Sequence, residues 1–177
     1  MSRFITACFT GHRPQHLSCG FDENHYQCIK IKHQLLRITR GLIERKAVNR
    51  FISGMALGVD MWAAETVIDL REEYSGITLE AAVPCKGQEM VWRESLRGRY
   101  HDVLGHCDTV VMLQEKYTSG CMQRRNEYMV RQSDFVVAVW DGKNFSGTAR
   151  TVKYALERHK IVYWINSNNY KMTEYRG

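Results

Sequence analysis

The chain has 177 residues, 44% of them hydrophobic and 25% charged, with a formal net charge of +6. That is the size and balance of one folded domain with a substantial core, and it excludes a disordered or fibrous chain. No apolar run approaches the roughly 20 residues a membrane helix needs, and the first nine residues lack the long apolar stretch of a signal peptide, so a soluble cytoplasmic protein without membrane contact is expected.

The chain alternates between apolar runs and helical patterns. Strands are expected over residues 4–9, 48–53, 77–83, 109–113, 135–140 and 161–165, mostly as continuous apolar runs of the kind covered on both faces. Between the first two, Cys28, Ile31, Leu35, Ile38 and Leu42 mark one face of a long helix. Val59, Ala63, Val67 and Leu70 mark a second helix, and Trp92, Leu96 and Val103 a third. Residues 122–133 suit a fourth, and Val152, Ala155 and Leu156 a fifth. Such alternation implies right-handed crossovers and a mainly parallel sheet of about six strands with helices on both faces, a single Rossmann-like doubly wound α/β domain over residues 1–177. A closed eight-fold barrel would need about 250 residues. Only two prolines occur, and no linker, repeat or low-complexity tract divides the chain.

Three glycine-bearing turns follow strands. Thr10-Gly11-His12-Arg13-Pro14 follows the first and Ser53-Gly54-Met55-Ala56-Leu57-Gly58-Val59-Asp60 the second, while residues 141–148, which include Ser146, Gly147 and Thr148, lead from the fifth strand into its helix. Glycines let a backbone approach phosphate, and a helix start offers unpaired N–H groups and the positive end of its dipole. Ligands of open sheets bind beyond the carboxyl ends of the strands, so the three turns point to one composite site for a phosphorylated ligand. Gly11, His12, Arg13, Ser53, Gly54, Gly58, Asp60, Gly147 and Thr148 are its candidate binding residues. Arg13 can pair with phosphate and His12 can donate to it, against a surface salt bridge as the plain alternative for Arg13. Asp60 can hold ribose hydroxyls or activate water, or simply favour its helix dipole. Glu65, one turn on, is a candidate carboxylate weighed against an ordinary ion pair. Arg150 and Lys153 sit in the first turn of the fifth helix, a poor place for cations unless an anion binds there. Trp92 and Tyr100 are read as core rather than as a stacking platform.

The dinucleotide fingerprint G-x-G-x-x-G is absent after the first strand, and no Walker lysine follows the glycines, which excludes the standard dehydrogenase and P-loop readings. Six cysteines, Cys8, Cys19, Cys28, Cys85, Cys107 and Cys121, show no close metal-type pairing; reduced thiols and no metal are expected, with Cys85 near the ligand edge either packed or reactive. The positive charge suits an anionic ligand without fixing its size.

The segments just quoted, with Leu57-Gly58-Val59-Asp60-Met61-Trp62-Ala63-Ala64-Glu65, Gln88-Glu89 and Trp92, Arg125-Asn126, Met129-Val130, Ser133-Asp134 and Ser146-Gly147-Thr148, resemble the YpsA-like proteins over nearly the whole chain. These form a branch of the SLOG superfamily, with the LOG phosphoribohydrolases and the DNA-processing protein DprA. The resemblance implies a Rossmann-like domain binding a nucleotide or a nucleotide-derived ligand of ADP-ribose type at the Gly54 to Asp60 turn and the Gly147-Thr148 turn. The reading drawn from residues and resemblance together is a sensor or regulatory module that needs no cofactor and binds a nucleotide, NAD or an ADP-ribose derivative. LOG-type enzymes carry P-G-G-x-G-T-x-x-E, whose glutamate is catalytic. Here the stretch runs from Asn144 to Thr151, and Thr151 stands where that glutamate would be. A hydroxyl cannot replace the carboxylate that stabilises an oxocarbenium ion, so hydrolysis by that route is not expected. A nucleotide hydrolase using Asp60 or Glu65 and a DprA-like single-stranded DNA binder stay open as alternatives, as does a homo-oligomer.

Overall fold

A computed structural model describes residues 4–177. Seven strands, β1 (Thr6–Gly11), β2 (Arg50–Ser53), β3 (Thr78–Val83), β4 (Thr109–Met112), β5 (Phe135–Trp140), β6 (Ile161–Asn166) and β7 (Met172–Arg176), form one sheet in the order β4-β3-β2-β1-β5-β6-β7. All neighbours are parallel except β6 and β7. The helices are α1 (Tyr26–Lys46), α2 (Val59–Leu70), α3 (Glu94–Gly105), α4 (Cys121–Gln132) and α5 (Gly147–Glu157), and a short 3-10 turn covers Pro14–His16.

The period-2 geometry of strands divides the core in two. Ala7 and Phe9 of β1 and Phe135, Val137 and Val139 of β5 face a cluster with Ile31, Leu35, Val59, Ala63, Val67 and Tyr100 of α1, α2 and α3. Cys8, Val136, Ala138 and Trp140 face the other way, onto Met129, Val130, Val152 and Ala155 of α4 and α5. The strands must therefore be apolar at successive positions, as the continuous runs predicted. Trp92 and Tyr100 meet edge to face at 5.4 Å, and Tyr100 is buried.

Two sheet edges depart from expectation. β7 adds a seventh strand that the pattern missed, because all five of its residues are exposed and none supplies an apolar run. β4 is apolar yet leaves Val110 and Met112 nearly half exposed. Here α3 packs on α2, and α4 on β1 and β3, so neither face of this edge strand is covered as expected.

One polar cluster pins the connection after β1 to the helices. Glu23 accepts from Trp62 Nε1 at 2.9 Å and from Arg99, and pairs with Lys32 at 2.5 Å, while Arg99 also grips Glu65 through Nε at 2.6 Å and Nη2 at 2.7 Å. Burial alone would raise the Glu23 carboxyl, but the hydrogen bonds from Arg99, Lys32 and Trp62 hold it down at about 2. A depressed carboxylate stabilises the fold above its unfolded pKa, and that contribution is lost as pH falls from about 4.3 towards 2. Because Glu23 is partly exposed, roughly 1–2 kcal/mol remains after screening. Urea melts between pH 6 and pH 2.5 should show Glu23→Gln less stable at the upper end, with most of that gap closed at the lower. A difference independent of pH would refute the assignment.

Candidate functional site

The strand order reverses direction between β1 and β5, and the loops leaving those two strands part there, as in open α/β sheets. Between them lies a crevice of about 580 Å³. The β1 loop contributes Gly11, His12 and Arg13, the turn after β2 contributes Ala56 and Asp60, α4 contributes Met122, Arg125 and Asn126, and the β5 loop contributes residues from Asp141 to Arg150.

The start of the β1 loop is tied to β5 by an extra rung of the ladder, in which His12 N–H donates to the Val139 carbonyl at 3.0 Å. The His12 ring is buried, with Nε2 3.2 Å from Asp141 Oδ1 and 3.3 Å from the Asp141 backbone N–H. Burial would raise the Asp141 carboxyl, but the Lys143 backbone N–H, His12 and the Lys143 ammonium together hold it below the ordinary carboxylate range. Trp140 and Trp164 brace this loop: Trp140 Nε1 donates to Lys143 O at 3.1 Å and Trp164 Nε1 to Trp140 O at 3.0 Å.

The floor is a buried charge pair. Arg125 Nη1 lies 3.7 Å from Asp60 Oδ2 and donates to the Gly54 carbonyl, while its Nε donates to Asn126 Oδ1 at 2.8 Å. A Cβ on Gly54 would run into the guanidinium and stand 2.6 Å from Asp60 Oδ2, so glycine is required there. Burial pushes the Asp60 carboxyl up and the Arg125 guanidinium down, and each charge opposes the other's shift. Ser53 Oγ ties the turn together, donating to Asp60 O at 2.8 Å and accepting from Met55 N–H at 3.1 Å.

On the far wall Ser146 caps α5, its Oγ accepting from Ala149 N–H at 3.0 Å. The N–H groups of Gly147 and Thr148 lie in a first turn that has no intrahelical acceptor to offer them. The crevice has four fixed cations, Arg13, Arg125, Lys143 and Arg150, against two carboxylates, Asp60 and Asp141. Both carboxylates are engaged, whereas Arg13 and Arg150 are exposed and form no salt bridge among the described residues. The surplus charge is thus free to meet an anion.

Of the residues chosen from sequence, Gly11, His12, Arg13, Asp60, Gly147 and Thr148 line this crevice. Ser53 and Gly54 lie behind it and shape its floor. Gly58 faces elsewhere. It precedes α2 with φ of 90°, and a Cβ there would stand 2.9 Å from both the His12 carbonyl and Pro14 Cδ. Its role is to let the β1 and β2 loops touch, so Gly58→Ala should lower stability by about 1–3 kcal/mol in denaturant melts; an unchanged midpoint would contradict this. Glu65 points to Arg99, outside the crevice, and Lys153 lies near Glu157 instead. Cys85 is buried and its side chain meets Cys121; all six cysteines are free thiols, and no cluster of three or more metal-ligating side chains occurs among the described residues. Arg125, Asn126 and Asp141 were not singled out as site residues. Thr151, at the position of the absent glutamate, is buried, donating to Gly147 O at 2.9 Å and accepting from Asn126 Nδ2 at 2.9 Å.

Comparison with known proteins agrees with this architecture. A UPF0398 protein of Halalkalibacterium halodurans is 35% identical over 134 residues, 75% of this chain and 70% of its own length. The SPbeta prophage-derived protein YoqJ of Bacillus subtilis is 33% identical over 139 residues, 72% of this chain and 81% of its own. Among solved structures, DNA processing protein A from Streptococcus pneumoniae superposes with a TM-score of 0.63 at 18% identity, over 91% of this chain and 50% of that one. The single-stranded DNA-binding DNA processing protein A from Helicobacter pylori gives 0.59 at 18% identity, over 90% of this chain and 64% of that one. At such identity the likeness concerns the fold. The YpsA model, described as the YspA SLOG family, matches residues 7–173, and the chain belongs to that family.

Proposed function

We propose that the protein binds a phosphorylated, nucleotide-type small molecule in the switch-point crevice and acts as a sensor or regulatory module. The observation that carries this reading is that one crevice is lined by the first turn of α5 and by two arginines, Arg13 and Arg150, that form no salt bridge among the described residues. Cations at a helix N-terminus oppose the dipole, and a bound anion removes that conflict while taking the free N–H groups. NAD and ADP-ribose derivatives are the larger ligands of this class.

The test is calorimetric titration of the purified protein with nucleoside monophosphates, NAD and ADP-ribose, followed by Tm in the presence of each. Saturable binding with a raised Tm is expected. No heat and no shift with any of them would refute the reading. The same incubations should release no free base, since Thr151 supplies no carboxylate. Base release proportional to protein and lost in Asp60→Asn would instead make this a hydrolase with Asp60 as its working group.

A second reading, single-stranded DNA binding, is favoured by one feature. A groove of about 520 Å³ beside the C-terminal half of α1 carries Arg37, Arg45 and Lys46, away from the crevice. It calls for oligonucleotide binding that weakens steeply with salt and with charge reversal of those three residues.

A further inference from the structure

Phe145 is fully exposed, although it stands at the mouth of the crevice. Its position directly before the Ser146 cap is where an apolar residue normally staples a helix start, by packing on the fourth residue of the first turn. Here that fourth residue is Arg150, also exposed, so no staple forms and the fold gains nothing from the ring. Arg13, Lys143 and Arg150 line the same crevice as the α5 N-terminus, so an exposed aromatic ring, fixed cations and free helix N–H groups share one site. Such a site is complementary to a ligand that carries both an anionic group and a flat apolar group.

We propose that Phe145 is the platform on which the base of a bound nucleotide stacks, and that it makes the crevice select nucleotides over bare sugar phosphates. This rests on the nucleotide-type reading of the same crevice. Stacking on an aromatic face accepts any base, since every base presents a π-surface, so the discrimination lies between ligands with and without a base rather than among bases. Phosphate binding through Arg13, Arg150 and the α5 N–H groups does not involve the Phe145 ring.

The experiment titrates wild type, Phe145→Ala and Phe145→Trp with AMP, GMP, CMP and UMP and with ribose 5-phosphate, after circular dichroism confirms that each variant is folded. Phe145→Ala should weaken all four nucleotides by about 5- to 150-fold, the range of one stacked base, with ribose 5-phosphate little changed. Phe145→Trp should restore nucleotide binding. Equal losses for nucleotides and ribose 5-phosphate, or unchanged nucleotide affinity, would overturn the platform. Wild type holding ribose 5-phosphate as tightly as the nucleotides would also overturn it, yet leave the anion site standing. Wild type binding none of the five would overturn the platform for mononucleotides, while the anion site would then be decided by the titrations with NAD and ADP-ribose.

Discussion

Arg125→Ala is expected to lower the unfolding free energy by about 3–5 kcal/mol, the cost of leaving a buried charge without its partner. With roughly 2–4 °C lost per kcal/mol in a domain of this size, Tm should fall by about 6–20 °C. The guanidinium is almost wholly buried and serves three groups at once: Asp60, the Gly54 carbonyl and Asn126. Its removal strands the Asp60 carboxyl in a site whose burial already raises it. A carboxyl raised above its unfolded pKa favours the fold most below about 4 and costs stability as pH climbs through the raised value. The variant should therefore lose most at neutral pH and approach wild type in mild acid. Asp60→Asn in the same background should recover part of the loss at neutral pH, because it removes the unpaired charge but not the unmet hydrogen bonds. Urea melts at pH 5 and pH 7.5 decide the matter. A loss below 1 kcal/mol, or one equal at both pH values, would show that the pair is not what supports the floor.

The sheet was legible because its central strands are apolar at successive positions, and the ends of β5 match the expected 135–140 run. β7 was not, since an edge strand with no buried side chain carries no hydrophobic period. The turns were legible through glycine. What glycine could not reveal is which surface each turn shows: Gly54 makes room for Arg125, whereas Gly58 makes room for the β1 loop. Arg125 escaped notice for a related reason. In the polar sequence of α4 a period analysis assigns arginines to solvent, and only the crossover from β4 to β5 lays this one across the end of β2. Its sequence signal, the Arg125-Asn126 pair within a family-like segment, marked the place without a role. Asp141 likewise opens a recognised turn, but its tie to His12 spans 129 positions and becomes visible only once β1 and β5 are neighbours.

Arg13→Ala should weaken phosphorylated ligands by about one to two decades while leaving stability nearly unchanged. The side chain is exposed, lines the crevice and forms no salt bridge among the described residues, and its charge favours the Asp60 carboxylate while opposing the Arg125 guanidinium, so its removal opens no cavity and its electrostatic effects on the floor offset each other. A charge-assisted hydrogen bond to phosphate is worth about 1.5–3 kcal/mol, which sets the size of the loss. His12 and Pro14, both buried, flank Arg13 and fix where its backbone leaves the β1 loop, so the entropy spent in reaching the ligand is that of the side-chain rotamers alone. Arg13→Lys should recover only a fraction, because an ammonium keeps the charge without the planar fork. Comparison of AMP with adenosine supplies the control: the variant should lose affinity for the first and hardly any for the second. Trp140, whose carbonyl and ring hold the β5 loop, offers an intrinsic fluorescence signal for both titrations. Equal losses for nucleotide and nucleoside, or a lowered Tm without ligand, would make Arg13 a structural residue and take the phosphate away from the β1 end of the crevice.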